Sequence, residues 1–392
     1  MFVRDRFTWL IYAVLGFLVY LQSTTGPLMP FLRDELGLSY TLSGAHLSAF
    51  AVGGFIAALR GEWLSRNLPR YVLLWGATGG VAGGAFFIII GQHPLVTLFG
   101  MGLMGFSAGL TIMTIQAALS DHHGELRAIP LTESNTLAML SAVIAPLAVG
   151  VLEREGLGWR TALMLGIVLY GIMFAVGHRI PVTPAQMDEV DETDHRRKRP
   201  LPPAYWAYWW VAVIVVGFEW GLAFWAASFF NEQVGLPTET ASAMVSVFFV
   251  ALFIGRGTGS VLARRYDIGR LLVASALLTA VSFPLYWLAP VAPLNIAGFF
   301  LTGLGVANFY PLTLACALKA APRQGQAANA RLILAGSVAV LIVPQFIGTA
   351  ADLVGIHGAL AVLALMSVTV IGLIVVANRR LAGPRVAALA AG

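Results

Sequence analysis

The chain has 392 residues, of which 58% are hydrophobic and 11% charged, and a mean hydropathy of +0.81. Soluble domains carry roughly 25% charged residues, so a water-soluble globular protein is excluded and a membrane-embedded one is expected. A net charge of +5 on so apolar a chain reads as membrane orientation, since nucleic-acid binding would need a basic soluble face, and the single Cys316 rules out an internal disulfide or a thiolate metal cluster.

Apolar stretches of about 20 residues, the length that crosses ~30 Å of hydrocarbon, follow one another along the chain. The first runs over about 8–31, behind Arg4 and Arg6. It is too long for a signal-peptide core and has no small-residue cleavage site, so a retained anchor is expected. Stretches at about 42–62, 71–91, 94–119, 132–152 and 160–178 complete a first half, 1–180. A proline-bounded segment, 181–203, comes next. Its acidic run (Asp188, Glu189, Asp191, Glu192, Asp194) and basic end (His195, Arg196, Arg197, Lys198, Arg199) predict a solvated cytoplasmic linker anchored at the inner leaflet. The second half, 204–392, opens on Tyr205, Trp206, Tyr208, Trp209 and Trp210, an expected interfacial belt. Its stretches fall at about 205–230, 240–262, 270–289, 294–318, 329–350 and 358–377.

The second half repeats the first. Gly37-Leu38 recurs as Gly235-Leu236, Gly61 as Gly259, Gly105 as Gly303, Pro146 as Pro344 and Gly150 as Gly348, always 198 positions on. This register points to an all-α membrane protein of twelve transmembrane helices in two pseudo-symmetric six-helix bundles. Such paired halves are a secondary-transporter architecture, with a site between them near the bilayer midplane. With both termini cytoplasmic, Arg33, Arg154 and Arg160 alone among the 24 Lys and Arg residues fall outside, so the positive-inside rule sets the topology in the plasma (inner) membrane.

Two cytoplasmic turns carry a family resemblance. Gly61-Glu62-Trp63-Leu64-Ser65-Arg66-Asn67-Leu68-Pro69-Arg70 joins the second and third stretches, and Gly259-Ser260-Val261-Leu262-Ala263-Arg264-Arg265 joins the eighth and ninth. Both resemble the signature loop of the major facilitator superfamily: a glycine, three residues, an acid, an arginine and further basic residues. They depart from it at the acid, where this chain has Ser65 and Ala263. The fourth stretch keeps a glycine ladder (Gly102, Gly105, Gly109) but has Met101 where proton-coupled drug exporters of that superfamily carry arginine. Glu219, Trp220 and Trp225, with Gly255-Arg256, resemble the fucose-permease-like branch, which includes proton–sugar symporters. That branch's symporter has acids in its first and fourth segments; here those segments offer only amides and hydroxyls.

Glu219, central in the seventh stretch, is the most informative residue. A charged carboxylate there costs ~2.5 kcal/mol or more unless it is neutral, paired or facing water. No basic residue is expected at its depth, so Glu219 is read as a proton-coupling or substrate-binding acid, against a structural hydrogen-bonded one. The resemblance implies a cavity lined by the first, fourth, seventh and tenth segments, helped by the second, fifth, eighth and eleventh. Its mid-depth candidates are Gln22, Thr25, Thr111, Thr114, Ser141, Trp220, Trp225, Asn308, Tyr310 and Gln345. Amides and hydroxyls beside tryptophan suit a neutral polyhydroxylated or amphipathic solute, although Ser and Thr in membrane helices often bond their own backbone. The expected cytoplasmic gate comprises Gly61, Arg66, Arg70, Glu133, Arg256, Gly259, Arg264 and Arg331. Glu133 and Arg331 are again 198 apart. An arginine at a helix start opposes the macrodipole, so Arg331 is expected to have an acidic or carbonyl partner across that gate.

His46, His93, His178 and His357 lack metal-ligand spacing, and no phosphate loop ends in Gly-Lys-Ser/Thr. No metal, cofactor, nucleic-acid partner or enzymatic nucleophile is therefore expected. The predicted protein is a monomeric transporter in the lipid bilayer, working by alternating access and taking up a sugar-like or weakly charged solute with protons. An exporter of amphipathic compounds is the alternative, and a non-transporting sensor the reading from another class.

Overall fold

A computed structural model describes residues 2–182 and 200–390, with side chains left out at 323, 326 and 381–390. The acidic and basic runs of the 181–203 segment lie outside the described residues. Among the described residues fourteen α-helices follow in chain order: α1 (Arg6–Ser23), α2 (Met29–Leu36), α3 (Tyr40–Asn67), α4 (Arg70–Ile90), α5 (Pro94–His123), α6 (Ala128–Arg154), α7 (Arg160–Gly177), α8 (Pro203–Glu232), α9 (Thr238–Leu262), α10 (Ile268–Leu288), α11 (Ala292–Val306), α12 (Phe309–Ala320), α13 (Gly325–Ala359) and α14 (Ala361–Ala390). They make twelve membrane spans: α2 is too short to cross, and α11 with α12 forms one span, Ala292–Ala320. No strand occurs among the described residues.

Local chemistry sets the ends. Asp5, Ser39 and Asp267 accept backbone N–H groups at the starts of α1, α3 and α10, satisfying donors that a first helical turn leaves unpaired. Gly37 and Gly235, a repeated pair, both adopt positive φ (62° and 76°) where the chain leaves a helix, a conformation only glycine takes without strain. The first apolar stretch is not continuous. The chain turns after Ser23 through Gly26-Pro27 and restarts as α2 with Pro30 in its first turn. The tenth span also breaks, at Ala307–Asn308, because Pro311 cannot donate to the carbonyl four residues back.

The chain forms two compact units. Unit one contains the N-terminal helices to α7 together with residues 224–249 and 344–356; unit two holds the remainder of α8, α9 and α13 with α10–α12 and α14. In unit one, α5 packs on α3 and α4, and α1 on α6. The approach of α3 to α5 is backbone against backbone: a β-carbon at Gly53 would strike the Gly102 carbonyl, and one at Gly105 the Phe50 carbonyl. Small residues give membrane helices the close packing that lipid cannot drive. His46, fully buried, bridges the same helices through Leu42 O and Thr97 Oγ1, 2.8 Å each. In unit two α10 packs against α11, α12 and α14.

The expected aromatic belt on α8 holds only in part. Trp206 and Trp210 are exposed, but Tyr205 and Tyr208 are fully buried. Their hydroxyls donate to Ala328 O (2.8 Å) and Asn378 Oδ1 (2.6 Å), so they tie α8 to α13 and α14.

Candidate functional site

Glu219 lies on α8 and Arg256 on α9, both in unit two. Arg256 Nη2 is 3.6 Å from Glu219 Oε1, with the two side chains 42% and 19% exposed. The expectation that Glu219 has no basic residue within reach is therefore corrected. Arginine's long side chain carries its charge well away from its Cα, and the guanidinium reaches the acid from a position that sequence reading assigns to the helix end. At 3.6 Å the contact is an ion pair looser than a hydrogen bond, and both side chains are partly exposed.

The ten polar and aromatic candidates separate into two classes. Thr25, Thr111 and Thr114 donate to their own backbone, at Gln22 O (2.8 Å), Ser107 O (2.9 Å) and Leu110 O (2.8 Å). Trp225 is fully buried and donates to Pro344 O at 3.0 Å, and Gln345 donates to Thr41 O at 3.2 Å. Asn308, at the break between α11 and α12, donates to Gly255 O at 2.7 Å. It sits where a β-carbon on Gly259 would fall, so the glycine of the second signature-like loop admits the asparagine. The other class is Gln22, Ser141, Trp220 and Tyr310, which are half-buried. No hydrogen bond engages their side-chain polar atoms among the described residues. Gln22 and Ser141 belong to unit one, Trp220 and Tyr310 to unit two.

Several of the residues expected at the gate form local pairs. In unit one Arg4 chelates Glu133 (Nε–Oε2 2.8 Å, Nη2–Oε1 2.5 Å), and the Tyr12 hydroxyl donates to the same carboxylate at 2.9 Å. Arg66 pairs with Glu62 one turn earlier, an exposed contact. Arg70 pairs with Asp121 at the end of α5, 2.6 Å away and mostly buried. Asp121 thus supplies an acid to the loop that has Ser65 at the signature position, whose hydroxyl donates to Glu62 O. Gly61 leaves room for the Met113 side chain. In unit two Arg264 is exposed, and Arg331 lies over the Trp206 ring, 5.7 Å from its centroid, with its own carbonyl accepting from Trp209 Nε1. A ring face in the same unit meets the Arg331 guanidinium.

Sequence reasoning also missed Arg33, Tyr40, Glu232 and Asp352, which interlock within unit one. Glu232 and Asp352 lie near helix ends, where a charge is ordinary, so nothing in the sequence singled them out. Among the described residues no cluster of His, Cys, Asp and Glu could hold a metal ion.

The family model described as Major Facilitator Superfamily matches residues 8–271 and 209–389. An uncharacterized MFS-type transporter of Yersinia pestis is 23% identical over 361 residues, 88% of each chain. A glucose/galactose transporter of Brucella abortus is 24% identical over 375 residues, 89% of this chain and 87% of its own length. Among solved structures, the nucleoside transporter NupG matches with a TM-score of 0.80 at 13% identity, covering 95% of this chain and all of that one. A bacterial homologue of the human lysosomal transporter Spinster matches at 0.76 and 14%, covering 97% and 98%.

Proposed function

The chain belongs to the major facilitator superfamily, and we propose that it carries a small sugar-like or weakly charged solute across the membrane in symport with protons. As a multi-pass transporter it is not an enzyme, and the chemistry reduces to binding, proton transfer and conformational change. The observation that carries the reading is the Glu219–Arg256 pair. A mid-span carboxylate must be neutralised, and this one has two routes: a proton, or the arginine. Alternation between them gives one acid a charge cycle that solute binding can drive. The side chains that no hydrogen bond engages among the described residues, Gln22 and Ser141 in unit one and Trp220 and Tyr310 in unit two, are of the amide, hydroxyl and aromatic types that suit a polyhydroxylated solute. The sugar named for the Brucella relative supports the same class.

Transport would proceed by alternating access of two bundles, 1–180 and 204–392, with the arginine-bearing turns around Gly61, Arg66, Arg70, Gly259 and Arg264 as the cytoplasmic gate. Orientation with both termini cytoplasmic in the plasma membrane rests on the asymmetry of Lys and Arg. The test is proton movement into proteoliposomes containing the purified protein, driven by a panel of sugars and amphipathic compounds, beside Glu219→Gln. A sugar-driven proton flux that the variant loses while retaining solute counterflow is the expected result. Robust solute exchange without proton flux in either protein would sink the coupling, and transport of amphipathic compounds alone would sink the substrate class.

A further inference from the structure

Glu219 and Arg256 bring opposite charges into two neighbouring spans of unit two, Pro203–Glu232 and Thr238–Leu262. Their approach, Nη2 to Oε1 at 3.6 Å, is longer than the about 2.7–2.9 Å of a close arginine–carboxylate bond. The other described acid of unit two, Asp267, caps α10 and faces Lys319 at 4.0 Å. Glu219 is therefore the carboxylate that this unit brings to Arg256. The backbone beneath the arginine is fixed. Asn308 Nδ2 donates to Gly255 O at 2.7 Å, its amide fills the notch that Gly259 leaves, and a β-carbon on Gly255 would strike Ala307. The break between α11 and α12 thus holds the turn of α9 that carries Arg256, while the arginine side chain stays 42% exposed.

Charge balance constrains the solute. Arginine stays protonated, so Arg256 is positive in every state of a transport cycle. With Glu219 ionised the pair is neutral. A proton on Glu219 together with an uncharged solute leaves these spans one positive charge in excess, which hydrocarbon penalises. A proton on Glu219 together with a monoanion at Arg256 restores neutrality, so the loaded and empty forms reorient without an unbalanced charge. A dianion would leave an excess of the other sign.

Resting on the proton symport proposed above, we infer that the solute is a monocarboxylate, such as a sugar acid, whose carboxylate takes the place of Glu219 on Arg256. Guanidinium and carboxylate match as planar, charge-assisted partners, and the proton that enters with the solute is the one that releases Glu219. One monoanion carried with one proton moves no net charge.

The test sets hexoses beside the corresponding hexuronates and small 2-hydroxy monocarboxylates. Binding to the purified protein is read by calorimetry for wild type, Glu219→Gln and the Glu219→Gln/Arg256→Met double variant. A monocarboxylate of this panel is expected to bind wild type more tightly as pH falls. Glu219→Gln should bind it about tenfold more tightly than wild type at neutral pH, the range of a charge-assisted bond, and without that pH dependence. The double variant, which keeps neither charge, is expected to lose the binding. In wild-type proteoliposomes the monocarboxylate should draw in protons at a rate that an imposed membrane potential does not change. Proton flux driven by hexoses and accelerated by an inside-negative potential overturns the monoanion while symport stands. Carboxylate binding that is absent, or no tighter in Glu219→Gln, overturns it as well. If protons accompany no solute, symport fails, and tighter binding by Glu219→Gln still assigns the carboxylate to Arg256.

Discussion

Arg256 and Glu219 hold each other's charge within the membrane span, and removing either leaves the other exposed to a medium that solvates it poorly. Loss of one partner of a deeply buried pair costs about 3–5 kcal/mol; with Arg256 42% exposed, solvent moderates that figure to roughly 1–2 kcal/mol. Arg256→Met is therefore expected to lower the apparent Tm of the purified protein by several degrees. Adding Glu219→Gln should restore most of the loss, because the orphaned charge is then gone. A four-protein thermal unfolding cycle measures this, and an Arg256→Met protein as stable as the parent would show that the pair contributes nothing. The acid was legible because charge in an apolar stretch is rare. Its partner was not, because a residue's position does not say where a flexible arginine delivers its charge. For the same reason Thr111 and Thr114 read as cavity hydroxyls, while each bonds the carbonyl four residues back.

The helices meet through glycine, and sequence spacing identified which glycines recur but not what each one touches. The span count was readable because about 20 apolar residues make one crossing. The two departures, the turn after Ser23 and the break at Ala307–Asn308, are marked by Pro27, Pro30 and Pro311, whose effect hydropathy averages away. Between α3 and α5 the ladder of Gly102, Gly105 and Gly109 is met by Gly53, Phe50 and Ala57. Gly105 faces the Phe50 carbonyl so closely that any side chain must part the helices. Overpacking of this kind costs about 1–3 kcal/mol for a methyl and more for branched residues. Gly105→Val is expected to abolish monodisperse protein in detergent, while Gly76→Ala on α4, with nothing within 4 Å, should elute and unfold like the parent. Size-exclusion chromatography and thermal unfolding decide it, and a well-behaved Gly105→Val protein would show that α3 and α5 do not need backbone contact.

At the scale of the whole molecule, duplication places equivalent residues at equivalent tasks. Pro146 and Pro344 both lie inside helices, α6 and α13, and Gly150 and Gly348 follow each by one turn. Within unit one, Gly150 faces the Glu239 carbonyl and Ala243 of α9, while Gly348 faces the Tyr40 carbonyl of α3 and the Trp225 ring. Each glycine thus admits a helix from the other half of the sequence. The repeat was visible in the sequence, but its purpose was not, since a shared glycine says only that something comes close. A single methyl at either position meets a backbone oxygen that cannot rotate away, so the contact must widen, at a cost of about 1–3 kcal/mol. Gly150→Ala and Gly348→Ala, 198 residues apart, are expected to shift the distribution of spin-label distances between Leu157→Cys and Gln233→Cys, both exposed positions, in the same direction, toward longer separations. Gly171→Ala, with nothing within 4 Å of its β-carbon, should leave it unchanged. Shifts of opposite sign at the two glycines would mean that the halves share a sequence pattern without sharing its mechanical role.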